Sequence, residues 1–248
     1  MELEPTNDAD SDAGSEPISP KRPTTLPELA EAILEALGRE PLSANIILGG
    51  GVALKHYDDF RATQDIDAWW REFRDPDTME RVRAALGDLA VEKGLGIEHR
   101  HFGLTDSLEF TTRDNPSKVF SFQISVRDVP LDEPLLSAWP PLRLETFRDN
   151  IGSKMNALVN RGAPRDLVDI HRVVTDGLMM PLECWRLWRM KNAEGTVEDA
   201  CTRVRVRLTR LEQRRPLASI ASPLERQAAE ALRRWYREVF LSAAEEMP

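Results

Sequence analysis

Two features of the sequence combine residue types that could do chemistry on phosphates: the run Gly49-Gly50-Gly51 and the triplet Asp65-Ile66-Asp67. In an extended strand, residues two apart point to the same face, so Asp65 and Asp67 would hold their carboxylates side by side. Like charges at that spacing are costly unless a cation lies between them. A hard divalent ion such as Mg2+ (or Mn2+) suits such a pair, because it takes one or two carboxylates and leaves positions for water and phosphate oxygens. Glycines let backbone N–H groups approach phosphates closely. An ordinary surface strand or turn would show either feature alone. Their order, strand then glycine turn then helix then Asp-x-Asp, is what points to phosphate chemistry.

A second group lies further along. Lys154 and Arg161, seven residues apart, share one face of a predicted helix, and Asp166 and Asp169, three apart, share a face of the next. Gly162 and Pro164 break the chain between them, giving a helical hairpin that could aim cations and carboxylates at one point. An ordinary surface helix pair with its own ion pairs is the plainer reading of the same spacing.

The elements that must position these residues follow from periodicity. Leu26, Leu29, Ile33 and Leu37 fall at helical spacing after Pro27. Residues 45–48 read as a strand entering the glycine turn, then a short helix through Val52, Leu54 and Tyr57, then a strand over 64–70. A helix over about 79–93 carries Val82, Leu86, Leu89 and Ala90 on one face. Strands are predicted at 97–102, 108–112 and 119–126, with a turn at Asn115-Pro116. Prolines 130, 134, 140 and 141 punctuate a connection, and helices follow at roughly 145–160, 165–176, 181–191, 196–213 and 222–244. The expected architecture is α/β (α+β): residues 24–143 form a mixed β-sheet with flanking helices, and 144–248 form a helical C-terminal domain.

Composition narrows the function classes. The chain is 41% hydrophobic and 30% charged, as ordinary globular proteins are, and carries a net charge of −9. Most of that excess sits in the first twenty residues, where Glu2, Glu4, Asp8, Asp10, Asp12 and Glu16 have no lysine or arginine among them. Residues 1–23 are read as a disordered acidic tail. A stably bound nucleic-acid partner is disfavoured by the overall charge, whereas a transient one is not excluded. The two cysteines form no CxxC, against a disulfide framework or cysteine zinc site. No apolar run suits a membrane span and no signal peptide is evident, so a cytoplasmic location is expected.

Lesser candidates carry blander readings. His99 and His101 share a strand face but lack an evident third metal ligand. His171 reads as packing or capping. One of Trp69 and Trp70 should enter the core while the other could stack a base. Trp185, Trp188 and Met190 read as helix packing. The arginines from Arg203 to Arg215 read as a solvated helix face, with an RNA-facing stripe as the alternative.

The stretches Leu48-Gly49-Gly50-Gly51-Val52-Ala53-Leu54 and Arg61-Ala62-Thr63-Gln64-Asp65-Ile66-Asp67 resemble the first motif of the AbiEii/AbiGii toxin family, nucleotidyltransferases of the DNA polymerase beta-type superfamily. Lys154-Met155-Asn156-Ala157-Leu158-Val159-Asn160-Arg161 resembles that family's Lys-x-x-Ala-Leu-x-x-Arg helix, and Arg165-Asp166-Leu167-Val168-Asp169 its Arg-Asp-x-x-Asp motif. The resemblance implies a nucleotidyltransferase-type sheet and transfer of a nucleotide from a nucleoside triphosphate to an acceptor hydroxyl on RNA (tRNA, for instance) or protein, releasing pyrophosphate. It also implies a toxin paired with a cognate antitoxin or acting in phage defence. By that resemblance Gly49 and Gly50 hold the triphosphate, Asp65 and Asp67 bind magnesium, Lys154 contacts phosphates, and Asp166 positions or activates the acceptor. Arg61, Thr63 and Arg161 complete the implied nucleotide site, with Asp169 in it or orienting Lys154. The pattern departs at Gln123, where relatives in the superfamily often carry a third carboxylate that Glu109 would have to replace, and at Phe60, where many have histidine. The other readings kept open are a nucleotide- or partner-binding module without activity and a small-molecule nucleotidyltransferase of the aminoglycoside-modifying sort.

Overall fold

The computed structural model describes residues 18–112, 117–126 and 129–247. An amphipathic helix α1 (Glu28–Gly38) buries Ala30, Ile33, Leu34 and Leu37. A 3-10 turn then leads into β1 (Ile46–Leu48), α2 (Gly50–Lys55) and β2 (Asp65–Trp70). Asp75 caps α3 (Pro76–Glu92) by accepting the Asp77 N–H at 3.1 Å, with Pro76 at the first helical position. A meander of β3 (Leu95–Phe102), β4 (Thr105–Thr112) and β5 (Lys118–Val126) follows, and then the two short strands β6 (Leu135–Leu136) and β7 (Arg143–Leu144). The turn expected at Asn115-Pro116 lies outside the described residues.

The seven strands form one mixed sheet in the order β3-β4-β5-β2-β1-β7-β6. β2 runs parallel to β5 and β1 parallel to β7, while the remaining neighbours are antiparallel. Along β2 the alternation is clean. Ile66, Ala68 and Trp70 enter the core beneath α1 and α3, so Asp65, Asp67 and Trp69 face the other way. Central β1 has all three residues buried because both of its faces are covered.

The second half is helical: α4 (Phe147–Asn160), α5 (Pro164–Thr175), α6 (Pro181–Lys191), α7 (Val197–Arg214) and α8 (Pro223–Trp235), with Tyr236–Phe240 continuing in wider, π-type turns. Its own apolar cluster includes Ile151, Leu158, Ile170, Trp185, Tyr236 and Phe240. Met190, expected to pack, is exposed instead. The expected boundary at 143 falls inside β7, and Leu54, Tyr57 and Phe60 from the first half pack into the second cluster. Among the described residues no helix is long and apolar enough to cross a membrane.

The tail expectation needs correction at its end. Residues 1–17 lie outside the described residues, but 18–23 are docked. Ile18 packs on the helical cluster, the Lys21 N–H donates to the His56 carbonyl at 2.7 Å, and Arg22 pairs with Glu31 and lies over the Trp139 ring. Window composition hid these few anchoring groups behind a polar average.

The buried pair Lys191–Asp149 ties the halves together. Lys191 Nζ donates to Asp149 Oδ1 at 2.7 Å and to the Val129 carbonyl, while Asp149 also accepts the N–H groups of Leu131 and Asp132. Gly152 leaves room for the lysine stem, since a Cβ there would lie 2.7 Å from Lys191 Cε. Removing one partner leaves an uncompensated buried charge. Lys191→Met is expected to cost about 3–5 kcal/mol, read as a lowered urea midpoint with an unchanged slope.

Candidate active site

The polar face of β2 opens into a cleft of about 310 Å³ whose other walls are the start of α2 and the α4–α5 hairpin. Glycine is required where α2 crosses this strand. Gly50 has φ +55°, and a Cβ on it would lie 2.3 Å from Asp67 Oδ2; on Gly49 a Cβ would lie 2.2 Å from Trp69 Nε1. The Gly49 N–H donates to the Asp67 carbonyl at 2.9 Å, fixing the turn against the strand. Gly50 and Gly51 line the cleft, whereas Gly49 lies beneath Trp69 and does not.

Asp65 and Asp67 both line the cleft, as their spacing predicts. Thr63, expected at the nucleotide, is buried instead and supports Asp65. Its hydroxyl bonds to the Asp65 carbonyl at 2.9 Å and to Asp65 Oδ1 at 3.2 Å. Asp65 Oδ2 accepts from Arg165 Nη1 at 2.8 Å. Asp67 is packed round by protein yet keeps part of its surface open. Burial, and then the charge of Asp65, push its carboxyl above the usual range against the opposing pull of Arg165, Lys154 and Arg161.

Across the cleft, Asp169 gathers cations from both halves of the chain. It accepts from Arg61 Nε at 2.6 Å, Arg61 Nη2 at 2.7 Å and Lys154 Nζ at 2.7 Å. Burial alone would raise its pKa, but the Arg61 bonds and the Lys154 charge hold it below the ordinary carboxylate range. The Arg61 backbone is fixed in turn by Lys55, whose buried ammonium donates to the Arg61 carbonyl and to Thr25 Oγ1, each at 2.6 Å. Asp169 thus holds Lys154 by a direct bond, the contact that the orienting alternative left open from the sequence would need.

Asp166, expected to position or activate an acceptor, has both oxygens engaged. Arg161 donates to them through Nε and Nη2 at 2.9 Å each, and the Ala163 N–H closes the start of α5 at 3.1 Å. With both oxygens so engaged, the carboxylate clamps Arg161.

Sequence reasoning missed Arg165 as a site residue, although it stands in the Arg-Asp-x-x-Asp run. It also missed Ser153, Asn156 and Asn160 on the cleft face of α4. Trp70 is fully buried and Trp69 lines the cleft, as the two-tryptophan alternation requires. Gln123 sits opposite Asp67 in the parallel register. Glu109 is one strand further out, opposite Ser121, and is drawn toward Arg100 and Lys118. No third carboxylate therefore flanks the pair from the neighbouring strand. His99 and His101 both bond to buried Asp106, a partner invisible in the sequence, which Arg74 also grips. Among the described residues no group of three or more His, Cys, Asp or Glu side chains could hold a metal ion. The Asp65/Asp67 pair alone is an all-oxygen donor set suited to a hard cation that shares its shell with phosphates. His171 packs edge-on against Trp235.

The shifts on Asp67 and Asp169 have opposite consequences. A raised carboxyl lets the folded state bind the proton more tightly, so Asp67 costs stability as pH climbs from the unfolded carboxylate pKa through its own higher value. Asp169, depressed, contributes stability at neutral pH that is lost as pH falls through its lowered value. In metal-free protein Asp67→Asn is expected to melt at or above the wild-type temperature at pH 7, with the gain vanishing below the ordinary carboxylate range. Asp169→Asn is expected to melt lower at pH 7. Thermal scans from pH 3 to pH 8 check both signs.

Comparison with known proteins bears on this cleft. The family model described as nucleotidyl transferase AbiEii toxin, type IV toxin–antitoxin system, matches residues 32–244. No curated protein matches the chain. Among solved structures, MenT4, a nucleotidyltransferase toxin from Mycobacterium tuberculosis H37Rv, is 18% identical, with a TM-score of 0.45 over 88% of this chain and 90% of that one. On the family match, which spans most of the chain and both walls of the cleft, the protein belongs to the AbiEii family of nucleotidyltransferase toxins.

Proposed function

We propose that the cleft binds a nucleoside triphosphate with Mg2+ (or Mn2+) and transfers its nucleotide to an acceptor hydroxyl, on RNA such as tRNA or on protein. The observation that carries this reading is the meeting of Asp65 and Asp67, from the sheet, with Lys154 and Arg161, from the helices, in one cleft. Charge balance supports the metal requirement. The ionisable lining comprises Asp65, Asp67, Asp166 and Asp169 against Arg61, Lys154, Arg161 and Arg165. Four cations already matched by four acids cannot alone neutralise a polyphosphate, so the ligand must bring its own cation. Asp65 and Asp67 would hold that ion, which supplies charge neutralisation on the reacting phosphate and the departing pyrophosphate.

The chain's own residues supply positioning and fixed charge. Lys154, aimed by Asp169, and Arg161, aimed by Asp166, present their donors to phosphate oxygens. Arg165, bonded to one oxygen of Asp65 in the free protein, would be released by an ion held at that carboxylate and would be free to turn to the triphosphate. Gly50 and Gly51 admit the phosphates close to backbone, and Trp69 offers a face to the base or ribose. The acceptor oxygen bonds to the α-phosphorus, the bond from that phosphorus to the bridging oxygen breaks, and pyrophosphate leaves. The hydroxyl proton passes to water at the cleft mouth, because Asp166 is held by Arg161 and Gln123 carries no charge. In the cell this activity would belong to the toxin of a toxin–antitoxin or phage-defence pair, acting in the cytoplasm and restrained by a cognate antitoxin.

Wild type and Asp67→Asn are incubated with labelled nucleoside triphosphates, magnesium and total cellular RNA and protein. Label is expected in one acceptor fraction with wild type and reduced at least about a hundredfold by the substitution, with growth inhibition lost in parallel. Equal labelling by both proteins would remove the Asp-x-Asp pair from the mechanism. Nucleotide binding without pyrophosphate release would favour the binding-module reading, to which Gln123 beside Asp67 lends support.

A further inference from the structure

The loop between α2 and β2 must deliver Arg61 to Asp169, yet no regular element shapes it. Residues 58–64 belong to no helix or strand, and among the described residues 59–63 form no backbone–backbone hydrogen bond. Side chains hold the loop instead. Lys55, the last residue of α2, has three N–H donors and three partners: the Arg61 carbonyl and Thr25 Oγ1, each at 2.6 Å, and Asp59 Oδ1. An ammonium so buried is tolerated only with such partners in place.

Asp59 carries the constraint to the segment before α1. Its Oδ2 accepts the N–H groups of Thr24 and Thr25 at 2.7 and 2.9 Å and the Thr24 hydroxyl at 3.1 Å, and its Oδ1 accepts the Thr25 hydroxyl. Burial alone would raise the Asp59 pKa, but the Lys55 and Thr25 bonds hold it far below the ordinary carboxylate range, so this carboxylate stays ionised. Buried Pro23 pins the same segment. On the other side of the loop, Arg61 Nη1 donates to the Ala62 carbonyl at 3.1 Å, its other two nitrogens donate to Asp169, and Asp169 takes Lys154. Each link from Thr25 to Lys154 involves a charged group, and the links stand in series. An anchor for the segment alone would need only the Asp59 bonds; it gives no reason for the Lys55 bond to the Arg61 carbonyl.

We infer that Lys55, held by Asp59 and Thr25, is a positioning residue for the transfer: by fixing the Arg61 backbone it sets where Asp169 holds Lys154. The segment before α1 is then a working part of a cleft that it does not line. This rests on the proposed transfer activity and adds to it the parts that aim its cations.

The test uses the full chain in the labelled-transfer assay, at a temperature where circular dichroism shows each variant folded, together with hydrogen exchange of the free protein. Lys55→Met keeps a long unbranched stem and removes the donors. It is expected to lower kcat about ten- to a hundredfold, the scale set by misplacing a group that acts on the reacting atoms, and to move the KM for the nucleoside triphosphate much less. Thr25→Val is the milder variant should Lys55→Met fail to fold, with a smaller drop in kcat that Thr25→Ser restores. In a double-mutant cycle, Lys55→Met added to Arg61→Lys should lower kcat little further, because both break the same line. Exchange should quicken together in residues 56–64 and in residues 164–172. Wild-type kcat in the folded variants would overturn the inference, as would independent, multiplying effects of Lys55→Met and Arg61→Lys, or exchange that quickens in 56–64 alone. If wild type transfers nothing while exchange quickens in both segments, the link from Lys55 to Asp169 stands and the transfer reading falls.

Discussion

The carboxylate of Asp169 is the point on which the cleft depends. It sits fully buried on α5, yet three charged donors from two other segments end on it: both faces of the Arg61 fork, from the loop before β2, and the ammonium of Lys154, from α4. A buried anion is tolerated only when its cations are held in good geometry, so the loop, α4 and α5 are locked to one another. The same contact sets the electrostatics of the opposite wall. Lys154 and Arg165 face Asp67, and without them the two adjacent carboxylates of β2 would repel more strongly still. Folding has thus placed a strained acidic pair across from restrained cations, an arrangement that the proposed metal–polyphosphate ligand would resolve.

The clamps follow a common pattern. Each cation facing the cleft is paired in the free protein: Arg61 and Lys154 with Asp169, Arg161 with Asp166, Arg165 with Asp65. They differ in how easily they can be redirected. Asp166 and Asp169 are buried and hydrogen-bonded on both oxygens, so their cations keep their aim. Arg165 is an exposed side chain on a single oxygen of Asp65, a pairing that costs little to break. The geometry therefore separates three cations anchored on buried carboxylates from one that is exposed and singly bonded.

Much of this was legible in the sequence, for identifiable reasons. The period-two rule places Asp65, Asp67 and Trp69 on one face of β2 and sends Ile66, Ala68 and Trp70 inward. The glycine run before it marks a close crossing, and the structure shows Asp67 and Trp69 filling the space a Cβ would need. The helical hairpin was visible in Gly162 and Pro164. Convergence was not, because Arg61 and Asp169 meet across more than a hundred residues of chain, a distance that no local pattern spans. Thr63 and Gly49 stand in the right motif but support the site from behind, a distinction set by side-chain direction. The two-residue strands β6 and β7 were hidden in a proline-rich connection, and the docking of Ile18 in a polar stretch.

The central claim is that β2 holds a divalent ion together with a polyphosphate. Electron paramagnetic resonance of Mn2+ titrated with the protein, with and without a nonhydrolysable nucleoside triphosphate, tests it most directly. The account predicts that wild type immobilises Mn2+ most tightly with the nucleotide present, and that Asp67→Asn leaves the ion as free as nucleotide alone does. Equal immobilisation by wild type and Asp67→Asn would contradict it.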